Sequence, residues 1–424
     1  MIFSIHSNAI ITKSIKDFGA KGNGIINDQA AFEKAAAFIQ KNGGNVKLLI
    51  PKGVYMVGKQ IRSNTPNRYL IETNVFSLSN CNNVLIQATG KASIKYVNNL
   101  KFGTFNPENG AKLVPEKLPF YDMSKTAQLG CLFMFQNCNN IQVSGFEADG
   151  NNLRTIIGGS YGDKGIQLWH YGIHLTNCKQ VLISNMNVHH FCLDGILVKN
   201  PWNMNCNVKI MNSIFDYNGR QGLSWVGGRG LQAVNCSFSH TGKANIYSSP
   251  GAGVDIEAED AEIKEGVFEK CKFFNNTGAG LLASDGKSEQ LKFVDCTFWG
   301  TTFWSAWVNK PDYSFYSCNF FGSFVHGYVT DNFQEATKFY KCLFQDSTLA
   351  GKTPYGQYLL ECDSRKLMVF DSCQFIYNHK KLMWYNGVAS AKNDDKPIFN
   401  HCVLLSKGKL EVYNSNNGKR SKGK

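Results

Sequence analysis

The chain has 424 residues, 43% of them hydrophobic, and a formal net charge of +13 at pH 7. That hydrophobic fraction excludes a disordered chain, and no apolar run reaches the roughly 18–20 residues of a membrane span. The excess of Lys and Arg suits an anionic partner or a generally cationic surface. With no nucleic-acid-binding motif present, neither nucleic acid nor a membrane is expected as a partner.

The first residues, "MIFSIHSNAIITK", are short and lack a basic leading region, so they make no convincing secretory signal. In "NDQAAFEKAAAFIQKNGG", Phe32, Ala35, Ala36 and Ile39 recur at helical spacing and predict an amphipathic helix over 28–41. Asn27 or Asp28 is placed to cap its start, and Gly43-Gly44 ends it. Residues 1–60 read as an entry strand and capping helix, 61–413 as the repeat body, and 414–424 as a disordered basic tail.

Three repeats organise the rest. Turn strings "NCNNV", "NCNNI" and "NCKQV" begin at 80, 137 and 177. A Cys-x-Phe string recurs at Cys236, Cys271, Cys296, Cys318, Cys342 and Cys373, and Cys402 with Leu404 continues it. A small residue followed by alternation starts at 172, 195, 222, 253, 280 and 305, and Gly327, shifted by one to a start at 326, marks the last repeat. Short β-type segments at this spacing predict a β-solenoid from about residue 44 to 412, whose stacked coils share one core. Cys and Phe at inward positions form ladders, with the thiols reduced and acting as small hydrophobes. No cysteine pair has metal-site spacing.

Residues 15–58 carry Asp17-Phe18-Gly19-Ala20, Gly22, Gly24, Asp28 and the Pro51-x-Gly53-x-Tyr55 string. This segment resembles the start of the pectate-lyase-like superfamily, which includes polysaccharide lyases, polygalacturonase-like hydrolases, epimerases and phage tailspikes. The resemblance implies an all-β fold: a single-stranded right-handed parallel β-helix with an N-terminal capping α-helix. It also implies a secreted or periplasmic protein acting on a polysaccharide, here an acidic one given the charge. It does not select a reaction, because one fold hosts several chemistries.

The alternation assigns an outer face. Counted from each repeat start, one outward column reads His174, Leu197, Ser224, Asp255, Leu282, Trp307 and Tyr328. The next reads Thr176, Lys199, Val226, Glu257, Ser284, Asn309 and Thr330. Asp255 and Glu257, in "GVDIEAED", are thus expected side by side on an exposed strand facing a groove. Such a pair suits general acid–base work on a glycosidic bond. A solvated pair balancing the basic surface and a Ca2+ site are the other readings. Trp307 and Tyr328 are candidate sugar platforms or plain cross-strand packing, and His174, Lys199, Tyr217 and Gln221 are candidate substrate contacts. His190, Tyr217, His240 and Asn275 align at one corner, which makes His190 and His240 candidate proton-transfer groups. Arg220 is a clamp for a substrate carboxylate or a lyase base, and Asp194 precedes a turn glycine as a further catalytic candidate. Insertions near 98–130 and 149–171 hold Tyr161, Trp169 and His170.

The polygalacturonase-like hydrolases carry an N-T-D-G string, a double Asp and a G-H-G. This chain has "CLDG" at 192–195 without the later two. The Arg-rich motif of calcium-type pectate lyases is missing too, and "GVDIE" only faintly resembles the "GFDPH" of alginate epimerases. The expectation is a polysaccharide-cleaving enzyme acting by glycoside hydrolysis. A lyase working by β-elimination and a non-catalytic tailspike-like binding β-helix are the alternatives. No cofactor is expected other than Ca2+.

Overall fold

The structure is a computed structural model that describes residues 10–62, 68–70, 74–106, 108–112, 129–158, 168–201, 205–300, 304–322, 325–347, 358–362, 366–385, 397–414 and 419–422. The chain divides into two compact units. One is Met1–Phe191 with Cys206–Ser213, the other Cys192–Asn205 with Ile214–Lys424.

In the first unit the helix spans Gln29–Lys41 and buries Phe32, Ala35, Ala36 and Ile39, the face expected from the spacing. Asn27 caps it, its Oδ1 accepting from the Gln29 N–H at 3.0 Å. Asp28 instead accepts from the Lys21 and Gly22 N–H groups at 2.7 and 2.9 Å, fastening the preceding loop. After the helix, Gly44 sits at φ +104°, where a Cβ would lie 1.8 Å from the Asn82 carbonyl oxygen, so only glycine fits.

Parallel strands then follow coil upon coil. Gly44–Ile50 pairs with Asn82–Tyr96, which pairs with Asn139–Asp149. The recurring Asn turns have a physical cause. Asn45, Asn83 and Asn140 all take left-handed φ values near +55°. Their amides form a ladder, Asn140 to Asn83 and Asn83 to Asn45, each at 2.9 Å. The insertion strand Lys101–Thr104 joins a separate four-stranded sheet with Ile61–Arg62, Arg68–Leu70 and Ile156–Gly158.

The second unit repeats the same parallel pairing. One interior ladder stacks Phe273, Phe298, Phe320, Phe344 and Phe375 at 4.5–4.8 Å between centroids. A second stacks Phe268, Phe293, Phe315, Phe339, Phe370 and Phe399 at 4.8–5.0 Å. The repeat cysteines are buried free thiols. From Cys271 onward each points its Sγ at the carbonyl of a neighbouring coil, as Cys318 does at Phe293 (3.4 Å) and Cys373 at Phe339 (3.4 Å). The last coil strand, Cys402–Ser406, pairs antiparallel with Lys409–Asn414, which pairs antiparallel with Lys419–Lys422. Residues 419–422, expected within a disordered tail, are therefore a strand.

Candidate functional site

The second unit holds a column of aligned strand positions. Ser224 pairs with Asp255, Asp255 with Leu282, and Leu282 with Trp307. Trp307 then pairs with His326 and His326 with Glu361. This corrects the expected column at its end. The glycine taken as a repeat marker, Gly327, follows the strand Val325–His326, so Tyr328 falls outside the column and His326 takes its place. Tyr328 instead lines a surface cleft of about 300 Å³ with Lys264, Lys287 and Lys310.

The expected exposure is also corrected. Asp255 is fully buried, as are Asp194, Gln221 and Ser224, and Glu257 is 9% exposed. Arg220 and Gln221 open the strand below and fold onto the acids. The Gln221 amide donates to Asp255 Oδ2. Arg220 Nη2 donates to Glu257 Oε2 at 3.0 Å, and its Nη1 lies 3.8 Å from Asp194 Oδ2. Asp255 Oδ1, both Asp194 carboxyl oxygens and Ser224 Oγ have no hydrogen-bond partner among the described residues.

Three buried carboxyl groups thus share one guanidinium. Burial pushes the Asp194 pKa up to about 7 despite Arg220. Burial, reinforced by Glu257, raises Asp255 well above the carboxylate range. Burial raises Glu257 as well, while Arg220 holds it back. Burial thus favours the protonated form of Asp255, and Arg220 favours the ionised form of Glu257. The guanidinium stands between Asp194 and Glu257. The same contacts occupy Arg220, which is held as a cation and is poorly suited to act as a base.

Further along the column, Trp307 stacks on His326 with centroids 4.0 Å apart and 11° between planes, and meets Trp304 edge-on at 4.5 Å. Trp304 Nε1 donates to Glu361 Oε2 at 3.1 Å. Burial lowers His326 to about 4 and raises Glu361. Sequence reasoning missed Trp304, which precedes the repeat start at 305, His326, whose marker Gly327 follows the strand, and Glu361, whose coil no repeat start marks.

The remaining candidates fall elsewhere. Tyr217 and His240 do stack, at 4.6 Å, and His240 Nδ1 lies 2.8 Å from Asp216 Oδ1. Asn275 follows at the same left-handed corner and accepts from Lys243 Nζ. Lys199 follows a bulge that pairs it with Gly227, so it leaves the column of Glu257. His174 and His190 belong to the first unit. His174 is buried with Nε2 3.0 Å from Thr176 Oγ1, and His190 Nδ1 lies 2.7 Å from His189 Nδ1. Also in that unit, His170 is buried against Tyr96 and Phe191, while Trp169 is exposed. Tyr161 lies outside the described residues.

Residues 132–320 match the family model described as "Right handed beta helix region". The chain folds as a right-handed parallel β-helix. Among solved structures, this β-helix is similar to the Azotobacter vinelandii mannuronan C-5 epimerase AlgE4 A-module. That match has 14% identity and TM-score 0.52, covering 90% of this chain and 100% of the other. The GH82 iota-carrageenase of A. fortis matches at 12% identity and TM-score 0.49, covering 91% and 92%. ORF18 of Geobacillus virus E2 matches at 15% identity and TM-score 0.49, covering 94% and 61%. No curated protein matches the sequence.

Proposed function

We propose that this β-helix is a polysaccharide-active enzyme that hydrolyses a glycosidic bond, with Asp255 as general acid and Glu257 as general base. The observation that carries the reading is the burial of Asp194, Asp255 and Glu257 around the single guanidinium of Arg220. A fold does not need this costly arrangement, whereas proton transfer does. In the reaction, the Gln221 and Arg220 side chains that cover Asp255 give way to the substrate, and the Asp255 proton goes to the glycosidic oxygen, which leaves with the bond's electron pair. Glu257 takes a proton from the water whose oxygen attacks the anomeric carbon. Arg220 holds Glu257 ionised, and Asp194 positions Arg220. Gln221 fixes the Asp255 carboxyl, leaving Oδ1 to carry the proton.

The net charge of +13 favours an acidic polymer, and the fold is one that also carries a mannuronan epimerase. A polymeric substrate goes with action outside the cytoplasm. Trp307, two coils from Asp255 and so roughly 10 Å along the column, is the proposed sugar platform.

The test is digestion of a panel of acidic and neutral polysaccharides, with reducing ends and ultraviolet absorbance followed together. New reducing ends without absorbance support hydrolysis. Unsaturated, absorbing products assign β-elimination instead, with Glu257 as its base. Binding without turnover on every polymer reduces the protein to a carbohydrate-binding β-helix.

A further inference from the structure

We propose that Asp149, His189 and His190 in the first unit form a binding site for one divalent transition-metal ion of the Zn2+ class.

The backbone explains why these side chains meet. Asp149 ends the strand Asn139–Asp149, His189 ends Asn187–His189, and the two are paired in the parallel register. Along a regular strand, the residue after His189 would point to the opposite face. His190 instead adopts φ +57°, and this left-handed step turns its ring back beside its neighbour. The two rings lie 4.9 Å apart between centroids, and their Nδ1 atoms are 2.7 Å apart. Asp149 Oδ1 lies 3.6 Å from His189 Nδ1, and one ligand atom from each of the three residues falls within 4.8 Å of the others.

The surroundings prepare these atoms as ligands. Glu147 Oε1 lies 3.1 Å from His189 Nε2. An ionised carboxylate only accepts, so Nε2 donates to Glu147, and Nδ1 is the ring nitrogen that faces His190 and Asp149. A carboxylate on the far nitrogen of a histidine is the usual support of a metal-binding imidazole. Lys95 Nζ holds Asp149 Oδ2 at 2.8 Å, and the Asn151 N–H reaches Oδ1 at 2.8 Å, leaving Oδ1 a second lone pair. Two imidazole nitrogens and one carboxylate oxygen suit Zn2+, Ni2+, Co2+ or Fe2+, whereas Ca2+ and Mg2+ require oxygen shells. The Lys95 charge opposes any cation, which again selects an ion that gains from imidazole donors.

A hydrogen bond between the two imidazoles accounts for the 2.7 Å contact without a metal. It leaves the Asp149 oxygen aimed at the same nitrogen from beyond hydrogen-bond range. Zn–N bonds of about 2.0–2.1 Å require the two nitrogens to part by roughly half an ångström, a small side-chain rotation. The bound ion would clip Asp149 of one coil to His189 of the next.

The experiment is titration of the chelator-treated full chain with Zn2+ by calorimetry, and with Co2+ by visible absorption. One ion per chain, bound in the micromolar range or tighter, is expected. His190→Asn, chosen because Asn tolerates the left-handed backbone, and Asp149→Asn should each weaken binding at least about tenfold. Glu147→Gln, at a half-exposed side chain, should weaken it by about 10–100-fold. Absence of stoichiometric binding overturns the site, as does unchanged affinity in the His190 and Asp149 variants. If those two fail to fold, unchanged affinity in Glu147→Gln overturns it alone.

Discussion

Gln221 donates its side-chain amide to Asp255 one coil away, and both residues are fully buried. The bond leaves one carboxyl oxygen of Asp255 unpartnered among the described residues, and burial favours the protonated form of that carboxyl. Asp255→Asn therefore removes a proton donor while reproducing the neutral shape. On the polysaccharide identified by digestion, kcat should fall by at least about a hundredfold. The unfolded chain loses its ionised Asp255 as well, so Tm at pH 7 should be unchanged or higher. Glu257→Gln should lower kcat equally. Near-full activity in both variants would remove the pair from the chemistry.

Asp194 makes stability depend on pH in a defined direction. Its folded pKa of about 7 lies above the ordinary 3.8, so the folded state binds more protons between those values. Its contribution is fully present below about pH 4 and is lost as pH rises through about 7. The magnitude is on the order of 4 kcal/mol. Denaturant melts from pH 4 to 8 should show stability falling with pH, and Asp194→Asn should flatten that slope. A slope unchanged by the substitution would assign it to other groups.

Arg220→Met leaves three buried acids without a counter-charge. Breaking such a pairing costs about 3–5 kcal/mol, and the loss should be larger at pH 8 than at pH 5. With Arg220 gone, Glu257 needs a higher pH to ionise, so the acidic limb of kcat/KM should move upward. Arg220→Lys keeps the charge but not the fork that reaches two carboxyl groups, and should fall between. Equal stability of wild type and Arg220→Met at pH 8 would refute the counter-ion role.

Trp307 offers a test of the sugar platform. Trp307→Ala should raise KM at least about tenfold while changing kcat far less, because the ring touches substrate away from the breaking bond. Trp304→Phe removes the indole N–H from Glu361 and retains the ring, so its effect on KM should be smaller. An unaltered KM in Trp307→Ala would leave the column as packing alone.

The cysteine ladder predicts slow chemistry. Thiols whose sulfurs face carbonyls of adjoining coils should not react with a thiol reagent in the native protein. They should all titrate in denaturant without prior reduction. Fast native labelling of Cys296, Cys318 or Cys342 would contradict the interior packing.

The fold was legible because stacked coils impose one constraint many times. Cys-x-Phe, the Asn turns and the helix face of Phe32, Ala35, Ala36 and Ile39 each state a local requirement that the sequence repeats. The column was legible as far as Trp307, where small residues still mark each coil start. It failed at His326, because Gly327 falls after the strand, and at Lys199, because a bulge adds a residue between paired strands. The burial of Asp255 was not legible. Alternation tells which side of a strand a residue takes, but Arg220 and Gln221, which close over that side, enter from a different coil. The Asp149–His189–His190 cluster depends on a single left-handed residue, and nothing periodic announces it.

The antiparallel strands at the end of the second unit bear on how the chain behaves among its own copies. A parallel coil ladder ends in a strand with an open row of amides and carbonyls, ready to template another chain in register. Cys402–Ser406 has its free side taken by Lys409–Asn414, which runs the opposite way. A strand reversed in direction is a poor start for a further parallel coil. Removing residues 407–422 would leave Cys402–Ser406 as a bare parallel edge, and fibrous self-association should follow.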